Sequence, residues 1–469
     1  MRGIIAAGAY IPYNRLQRSR IAEALGSGGG RGARAVASYD EDSTTMGVEA
    51  ARNALRSASA GFAPRAVTLS STAPAYLDKN NATALHAALD LPGDVGAFDM
   101  MGSARSGAGA LAAALGGSSP WLVAIADVRS GLAGGGDEAG NGDAGVAFAI
   151  GSDEDGPVIA EFIGGASSSA EFLDRWRTVG DSRSKIWEER FAEAAYDPVI
   201  KECVEGVYAN AGITPDQVDV VVMTGLAERA VRSAARYVGV APDRYADTMA
   251  DTVGNTGAAH AGLMLTGALE KASPGQTILV INAADGCDAA VFRTTDAIAG
   301  YQPARSLADQ IASGNDGLDY AKFLTWKGML TREPPRRPDP DRPGGPPMLR
   351  SQDWKFAFVG TECTACGARH LPPARVCVKC EAVDQMSRVR LADVQATIAT
   401  FTIDRLAFSL SPPVVSAVAD FDGGGRYPIE MADVDPASVK IGDRVEMTFR
   451  NLYTADGIHN YFWKARPVL

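Results

Sequence analysis

Hydrophobic positions in residues 1–295 fall into two textures. Short continuous apolar runs at 66–71, 97–101, 121–126, 144–150 and 158–163 have the length and density of strands buried on both faces. Ala-rich stretches at 81–91 and 107–115 carry helical spacing between them. The pattern returns after residue 197. It runs as a helix to about 210, a strand at 218–223, helices at 226–238 and 256–269, and strands at 277–282 and 289–293. Strands separated by helices predict an α/β sheet covered on both sides. The similar order of elements in 1–155 and 156–295 predicts a duplicated unit rather than an array of short repeats.

The texture then changes. Residues 296–332 place Leu307, Ile311, Leu318, Phe323 and Leu324 for helical packing. Residues 334–347 hold seven prolines in fourteen positions, which neither continue a helix nor enter a sheet interior. The span 296–350 therefore reads as a helical and extended linker. After a cysteine-rich stretch at 351–388, residues 389–469 alternate again, with strands at 395–403, 414–420, 444–449 and 459–465 and a DGGG turn at 422–425. Several short strands in so small a segment predict a small all-β barrel.

Charge narrows the function classes. The 469-residue chain has 45 Lys+Arg against 56 Asp+Glu, a net charge of −11, and no long basic stripe. That argues against nucleic acid as a partner. The longest uncharged stretch, 106–126, is broken by GGSSP and reads as helix, turn and strand rather than a membrane span. The N-terminal MRGIIAAGAYIPYNR lacks the core and cleavage site of a signal peptide. A cytoplasmic protein without a membrane partner is expected.

Of six cysteines, Cys203 and Cys287 stand alone, while Cys363-x2-Cys366 and Cys377-x2-Cys380 form two pairs. A disulfide framework is not expected in a chain of this length without a signal. Four thiolates at this spacing make the soft, closed tetrahedral shell of a structural Zn²⁺ site. His370 is unnecessary once four thiolates bind.

These residues carry a resemblance. The stretch TECTACGARHLPPARVCVKC and its strand-rich tail resemble the rubredoxin-like zinc ribbon plus OB-fold modules that associate with acyl-CoA enzymes. AFDMMGSARSGAGAL (97–111), NGDAGVAFAIG (141–151), VGNTGAAHAG (253–262) and AADGCDAAVF (283–292) resemble the thiolase superfamily. The likeness is to its 3-hydroxy-3-methylglutaryl-CoA synthase and ketoacyl synthase III branch. The resemblance implies a duplicated thiolase-like α-β-α-β-α domain followed by linker, zinc ribbon (351–388) and OB-fold (389–469). It implies an acyl-CoA or acyl-carrier-protein thioester as substrate. It also implies a homodimer built through an edge strand, for which 121–126 is apolar enough.

A condensing enzyme of this family attacks the thioester with a cysteine at a helix N-terminus. The corresponding turn here is Gly102-Ser103-Ala104-Arg105-Ser106-Gly107, which puts Ala104 in the nucleophile slot. The resemblance leads to an acyltransferase that forms a C–C bond by Claisen or aldol-like condensation, with the nucleophile slot occupied by Ala104, whether native or an engineered replacement of a cysteine. Two alternatives stand beside it: a cysteine-independent retro-aldolase acting on a 3-hydroxyacyl-CoA, and a non-catalytic acyl-CoA-binding scaffold. Asn255 matches the family Asn that faces the thioester carbonyl. His260 is the candidate base or oxyanion donor, and Thr224 stands near the place of the family's first His. Cys287 lies in the loop where thiolases carry a second cysteine. Ser103, Cys287 and the loop arginines Arg31 and Arg34 are the expected substrate contacts, the arginines toward the CoA phosphates.

Overall fold

The computed structural model describes residues 1–336, 338 and 340–468, so Arg337 and Asp339 of the proline-rich segment and the terminal Leu469 lie outside the described residues. The chain divides into two compact units. The first comprises Met1–Ala37, Asp42–Thr83 and Gly93–Phe323, and the second Ser38–Glu41, Ala84–Pro92 and the chain from Leu324 onward.

The first unit is built on one nine-stranded sheet. Its strands are β1 (Arg2–Tyr10), β2 (Ala66–Ser71), β3 (Gly96–Met101), β4 (Trp121–Asp127), β5 (Ala144–Ser152), β6 (Ala160–Ser168), β7 (Val220–Gly225), β8 (Thr277–Ala283) and β9 (Cys287–Thr294). They run in the order β7-β8-β9-β6-β1-β5-β4-β2-β3. The two halves repeat the same pairing order in all strands but one. β1 pairs antiparallel with β5, β5 antiparallel with β4, and β4 parallel with β2. Likewise β6 pairs antiparallel with β9, β9 antiparallel with β8, and β8 parallel with β7. The place of β3 is taken in the second half by a single parallel bridge between Val221 and Tyr245.

Side chains alternate across this sheet as a two-residue period requires. Val222, Ile278 and Phe292 face one core with α2 (Ser106–Gly116) and α5 (His260–Leu269). Val221, Met223, Leu279, Ile281 and Val291 face the other with α3 (Glu189–Ala211) and α4 (Glu228–Val238). Helix α1 (Ser43–Ser57) packs so closely on β1 that a side chain at Gly8 would meet the Ala50 carbonyl at 2.5 Å.

Several expectations need correction. Residues 256–269 do not form one helix: a 3₁₀ turn, Gly257–Ala259, precedes α5. The span 296–332 is three short pieces, Asp296–Gly300, Leu307–Ala312 and Tyr320–Trp326. The proline-rich stretch ends in a short helix, Gly345–Arg350, whose prolines fall in its first turn, where a missing N–H costs nothing. The strand at Trp121 is not an edge, since it lies between β2 and β5; the end strands of the sheet are β3 and β7.

In the second unit, Val359–Cys363 pairs with Arg369–His370 on one side and Met386–Arg390 on the other. The barrel that follows has strands β10 (Ala396–Asp404), β11 (Val414–Phe421), β12 (Arg426–Glu430), β13 (Arg444–Ala455) and β14 (Ile458–Pro467). Their order is β12-β11-β10-β13-β14, and a bridge between Met431 and Ala465 closes the ends in the OB-fold manner.

Candidate active site

The turn predicted to hold the nucleophile connects β3 to α2. Gly102 makes it possible with φ +108°, a conformation L side chains rarely adopt. Its N–H donates to the Ser71 carbonyl at 2.9 Å. The Ser103 hydroxyl accepts from the Arg105 N–H at 3.0 Å and donates to the Asp285 carboxylate. Ala104 follows, only 5% exposed.

Arg105 then crosses from the first half to the second. It donates to both Asp288 oxygens at 2.7 and 3.1 Å, to the Asp285 carbonyl at 2.8 Å and to the Ser168 carbonyl at 3.3 Å. Gly286 lies against that guanidinium: a β-carbon there would come within 2.4 Å of Arg105 Nη1, and φ is +128°. The β8–β9 loop is therefore shaped around Arg105.

Ala104 opens on a cavity of about 710 Å³ lined also by Ser103, Arg129, Asp174, Tyr196 and Asp285. A second cavity of about 470 Å³ is lined by Thr224, Asn255 and His260. Asp174, Arg175 and Leu226 line both. The structure thus brings Ser103 and Ala104 to one side of a shared wall and Thr224, Asn255 and His260 to the other.

Asn255 and His260 meet because Asn255 lies outside the helix. Gly254 at φ +86° turns the chain against Asn141, and the Asn255 amide then donates to the Gly225 carbonyl and accepts from the Gly257 N–H, both at 3.0 Å. His260 begins α5, and its Nδ1 accepts from the Thr256 N–H at 3.3 Å. Burial pushes its imidazole down to about 4. His260 is therefore neutral at pH 7, with its proton on Nε2. Thr224, 6% exposed at the end of β7, offers a hydroxyl, which is no base.

Other expected residues lie elsewhere. Arg34 is fully buried, with its guanidinium on the Glu138 and Arg129 carbonyls at 2.7 and 3.0 Å and on Asp143 at 3.4 Å. A guanidinium held this way is not available to a phosphate, so that assignment is corrected. Arg31 is exposed on its loop and lines neither cavity. Cys287 is 0% exposed in the core beneath α3, where Cys203 and burial hold its thiol far above the ordinary range. It also lines neither cavity and is corrected from substrate contact to core.

Sequence reasoning missed four groups in the first cavity. Arg129, 6% exposed, donates to Thr72 Oγ1 at 3.0 Å. The Tyr196 hydroxyl accepts from the Asp285 N–H at 3.1 Å. Burial and then the Asp285 charge raise the Asp174 carboxyl above its ordinary range. Asp285 itself sat in a stretch read only for its cysteine; Asp174 and Arg129 carry no motif.

In the second unit the sulfurs of Cys363, Cys366, Cys377 and Cys380 all lie within 4.8 Å of one another. Zn–S bonds of about 2.3 Å in a tetrahedron put sulfurs about 3.8 Å apart. Cys363–Cys380 at 3.6 Å and Cys366–Cys377 at 3.5 Å fit that shell. Backbone knuckles support it, with the Gly367 N–H on the Cys363 carbonyl at 2.8 Å and the Glu381 N–H on the Cys377 carbonyl at 2.9 Å. The four thiolates would hold Zn²⁺ as a structural ion.

Comparison with known proteins matches three families along the chain. Residues 208–293 match the 3-oxoacyl-[acyl-carrier-protein] synthase III C-terminal family. Residues 356–386 match the ChsH2 rubredoxin-like zinc ribbon, and 388–450 the ChsH2 C-terminal OB-fold domain. The hydroxymethylglutaryl-CoA synthase of Methanopyrus kandleri is 30% identical over 351 residues, covering 70% of this chain and 97% of that protein. A solved hydroxymethylglutaryl-CoA synthase complexed with CoA has a TM-score of 0.59 at 16% identity, over 69% of this chain and 90% of that one. The 3-oxoacyl-[acyl-carrier-protein] synthase III of Aquifex aeolicus has a TM-score of 0.54 at 20% identity, over 62% of this chain and all of that one. Among the described residues no helix is long and apolar enough to cross a membrane.

Proposed function

The chain belongs to the hydroxymethylglutaryl-CoA synthase family, and from that premise we propose that it makes or breaks a C–C bond beside the carbonyl of a CoA thioester without forming an acyl-enzyme. The observation that carries this is Ala104, at the family's nucleophile turn and on the wall of the 710 Å³ cavity. Neither cysteine outside the zinc set lines that cavity. Retro-aldol cleavage of a 3-hydroxyacyl-CoA needs a base, a stabiliser for the thioester enolate and no thiol. A neutral His260 can donate Nε2–H to such an enolate oxygen, with the Asn255 amide held beside it.

A second reading is favoured by the kinship with synthases: covalent condensation by a form with cysteine at 104. Intact-mass spectrometry of the Ala104→Cys variant with acetyl-CoA separates the two. An added acetyl mass, followed by condensation with a second acyl-CoA, supports the second reading. An Ala104→Cys variant that gains no mass, beside an unsubstituted protein that turns over a 3-hydroxyacyl-CoA, supports the first.

The same reading takes 1–155 and 156–295 as the two catalytic halves, with linker, zinc ribbon and OB-fold at 296–350, 351–388 and 389–469. It makes the protein a cytoplasmic homodimer paired through β3, where Phe98 is 54% exposed. Sedimentation at micromolar concentration tests the pairing, and a monomer contradicts it.

A further inference from the structure

We propose that Asp174 is the proton-transfer group of this site, taking the Cα proton of a bound acyl-CoA thioester and returning it. The inference rests on the reading of the two cavities as a CoA-thioester site, and it names the group that exchanges the Cα proton with the enolate that reading invokes.

Asp174 stands on the wall common to both cavities, between Ala104 on one side and Asn255 and His260 on the other. Its backbone is fixed. Its carbonyl accepts from the Trp187 N–H at 2.7 Å, and a small hairpin, Arg175–Trp176 against Lys185–Ile186, follows it directly. Arg175, the next residue, is anchored by a two-pronged ion pair to Asp137 at 2.6 and 3.0 Å.

The side chain is only 8% exposed, and its Oδ1 is buried without a hydrogen-bond partner among the described residues. A carboxylate oxygen left in that state is costly unless it is reserved for something. The other carboxylates on the wall of the 710 Å³ cavity are engaged. Asp99 accepts from the Asn81 and Ala82 N–H groups, both at 2.7 Å, Asp181 from the Thr178 hydroxyl at 2.6 Å, and Asp285 from Ser103. The groups that bear on Asp174 are Asp285, which disfavours its charge, the backbone N–H groups of Asp174 and Arg175 and the Arg175 guanidinium, which favour it, and the buried Tyr196 phenol beside it. Burial and Asp285 together raise its proton affinity, which brings a carboxylate closer to the strength a general base needs near neutral pH.

The step balances. Asp174 takes the proton from Cα. The C–H electron pair becomes the Cα=C bond of the enolate, and the thioester carbonyl pair moves onto its oxygen. Reversal returns a proton, or in heavy water a deuteron, from the carboxyl group to Cα. The step is common to both directions of C–C chemistry and needs no thiol, metal or oxidant.

The experiment is isotope exchange with acetyl-CoA as probe. The full-length, zinc-loaded protein is incubated with acetyl-CoA in D₂O, and deuterium in the recovered acetyl group is measured by mass spectrometry. The unsubstituted protein is expected to exchange. Asp174→Asn should lose at least about a hundredfold in rate. Asp174→Glu should recover part of the loss, and all variants should still bind acetyl-CoA by calorimetry. The rate should rise with pH through a midpoint above the ordinary carboxylate range, and Asp285→Asn should move that midpoint down. Exchange by Asp174→Asn at the unsubstituted rate overturns this inference alone. So does a midpoint that Asp285→Asn leaves unmoved. Absence of exchange in the unsubstituted protein overturns the thioester reading, and this inference falls with it.

Discussion

Replacing Arg105 by alanine should loosen the junction on which the candidate site is built. The side chain makes four hydrogen bonds into the second half of the first unit, two of them to the Asp288 carboxylate. Arg105 and Asp288 are 21% and 18% exposed, so the pair is shielded from solvent without being fully dry. Charge-assisted hydrogen bonds contribute about 1.5–3 kcal/mol each, and removing one partner of a fully buried ion pair costs about 3–5 kcal/mol. Allowing for the partial exposure, Arg105→Ala should cost about 3 kcal/mol. In a unit of this size that corresponds to a fall in Tm of about 4–5 °C. Lysine keeps the charge but not the fork that meets both Asp288 oxygens, so Arg105→Lys should fall between the two. A double-mutant cycle with Asp288→Asn isolates the pair, with an expected coupling of about 1–2 kcal/mol. Calorimetric melts of the four proteins make the measurement. A Tm loss under about 2 °C for Arg105→Ala, or no coupling in the cycle, refutes the view that this guanidinium holds the Ala104 turn against the β8–β9 loop.

The remaining predictions concern the same architecture. His260 titrates near 4 when folded against about 6.5 unfolded, so the native state binds fewer protons. Stability from its burial is complete above pH 6.5 and is lost as pH falls toward 4, about 2 kcal/mol of it by pH 5; denaturant melts of His260→Gln should lack that part of the slope. Gly286→Ala should destabilise about as much as Arg105→Ala, because the new methyl meets Arg105 Nη1 at a positive φ; an unchanged calorimetric melt contradicts this. Elemental analysis should find one Zn²⁺ per chain. Chelation or Cys377→Ala should remove amide-exchange protection from residues 359–390 while β1–β9 stay protected.

How much was legible follows from where each signal lies. β4, β5 and β8 are largely continuous apolar runs, and such a run declares a doubly covered strand without help from the rest of the chain. The zinc ligands are legible because their spacing is local. Helix α1 was not read, because Ser43 to Asn53 is buried on every side. Its polar residues pair internally, as Glu49 and Arg52 do at 2.7 Å, so no amphipathic stripe marks it. β12 hides behind Pro428, which an edge strand tolerates. Arg34 was misplaced because a glycine-rich neighbourhood suggested an exposed loop, whereas it enters the short strand Ala33–Val36. In the candidate site, Ala104, Asn255 and His260 were found through motifs. Asp174, Arg129 and Tyr196 were not, because they come from distant segments and meet only in the folded chain.

The central claim is that this cavity carries out C–C chemistry on a CoA thioester with no covalent link to the protein. It is tested most directly by incubating the unsubstituted chain with a panel of 3-hydroxyacyl-CoA thioesters, following products and intact protein mass in the same samples by mass spectrometry. The account predicts release of a shorter acyl-CoA together with an aldehyde or ketone while the protein mass stays unchanged. Failure to cleave any member of the panel, with the Ala104→Cys variant instead gaining an acyl group and condensing it with a second acyl-CoA, would contradict it.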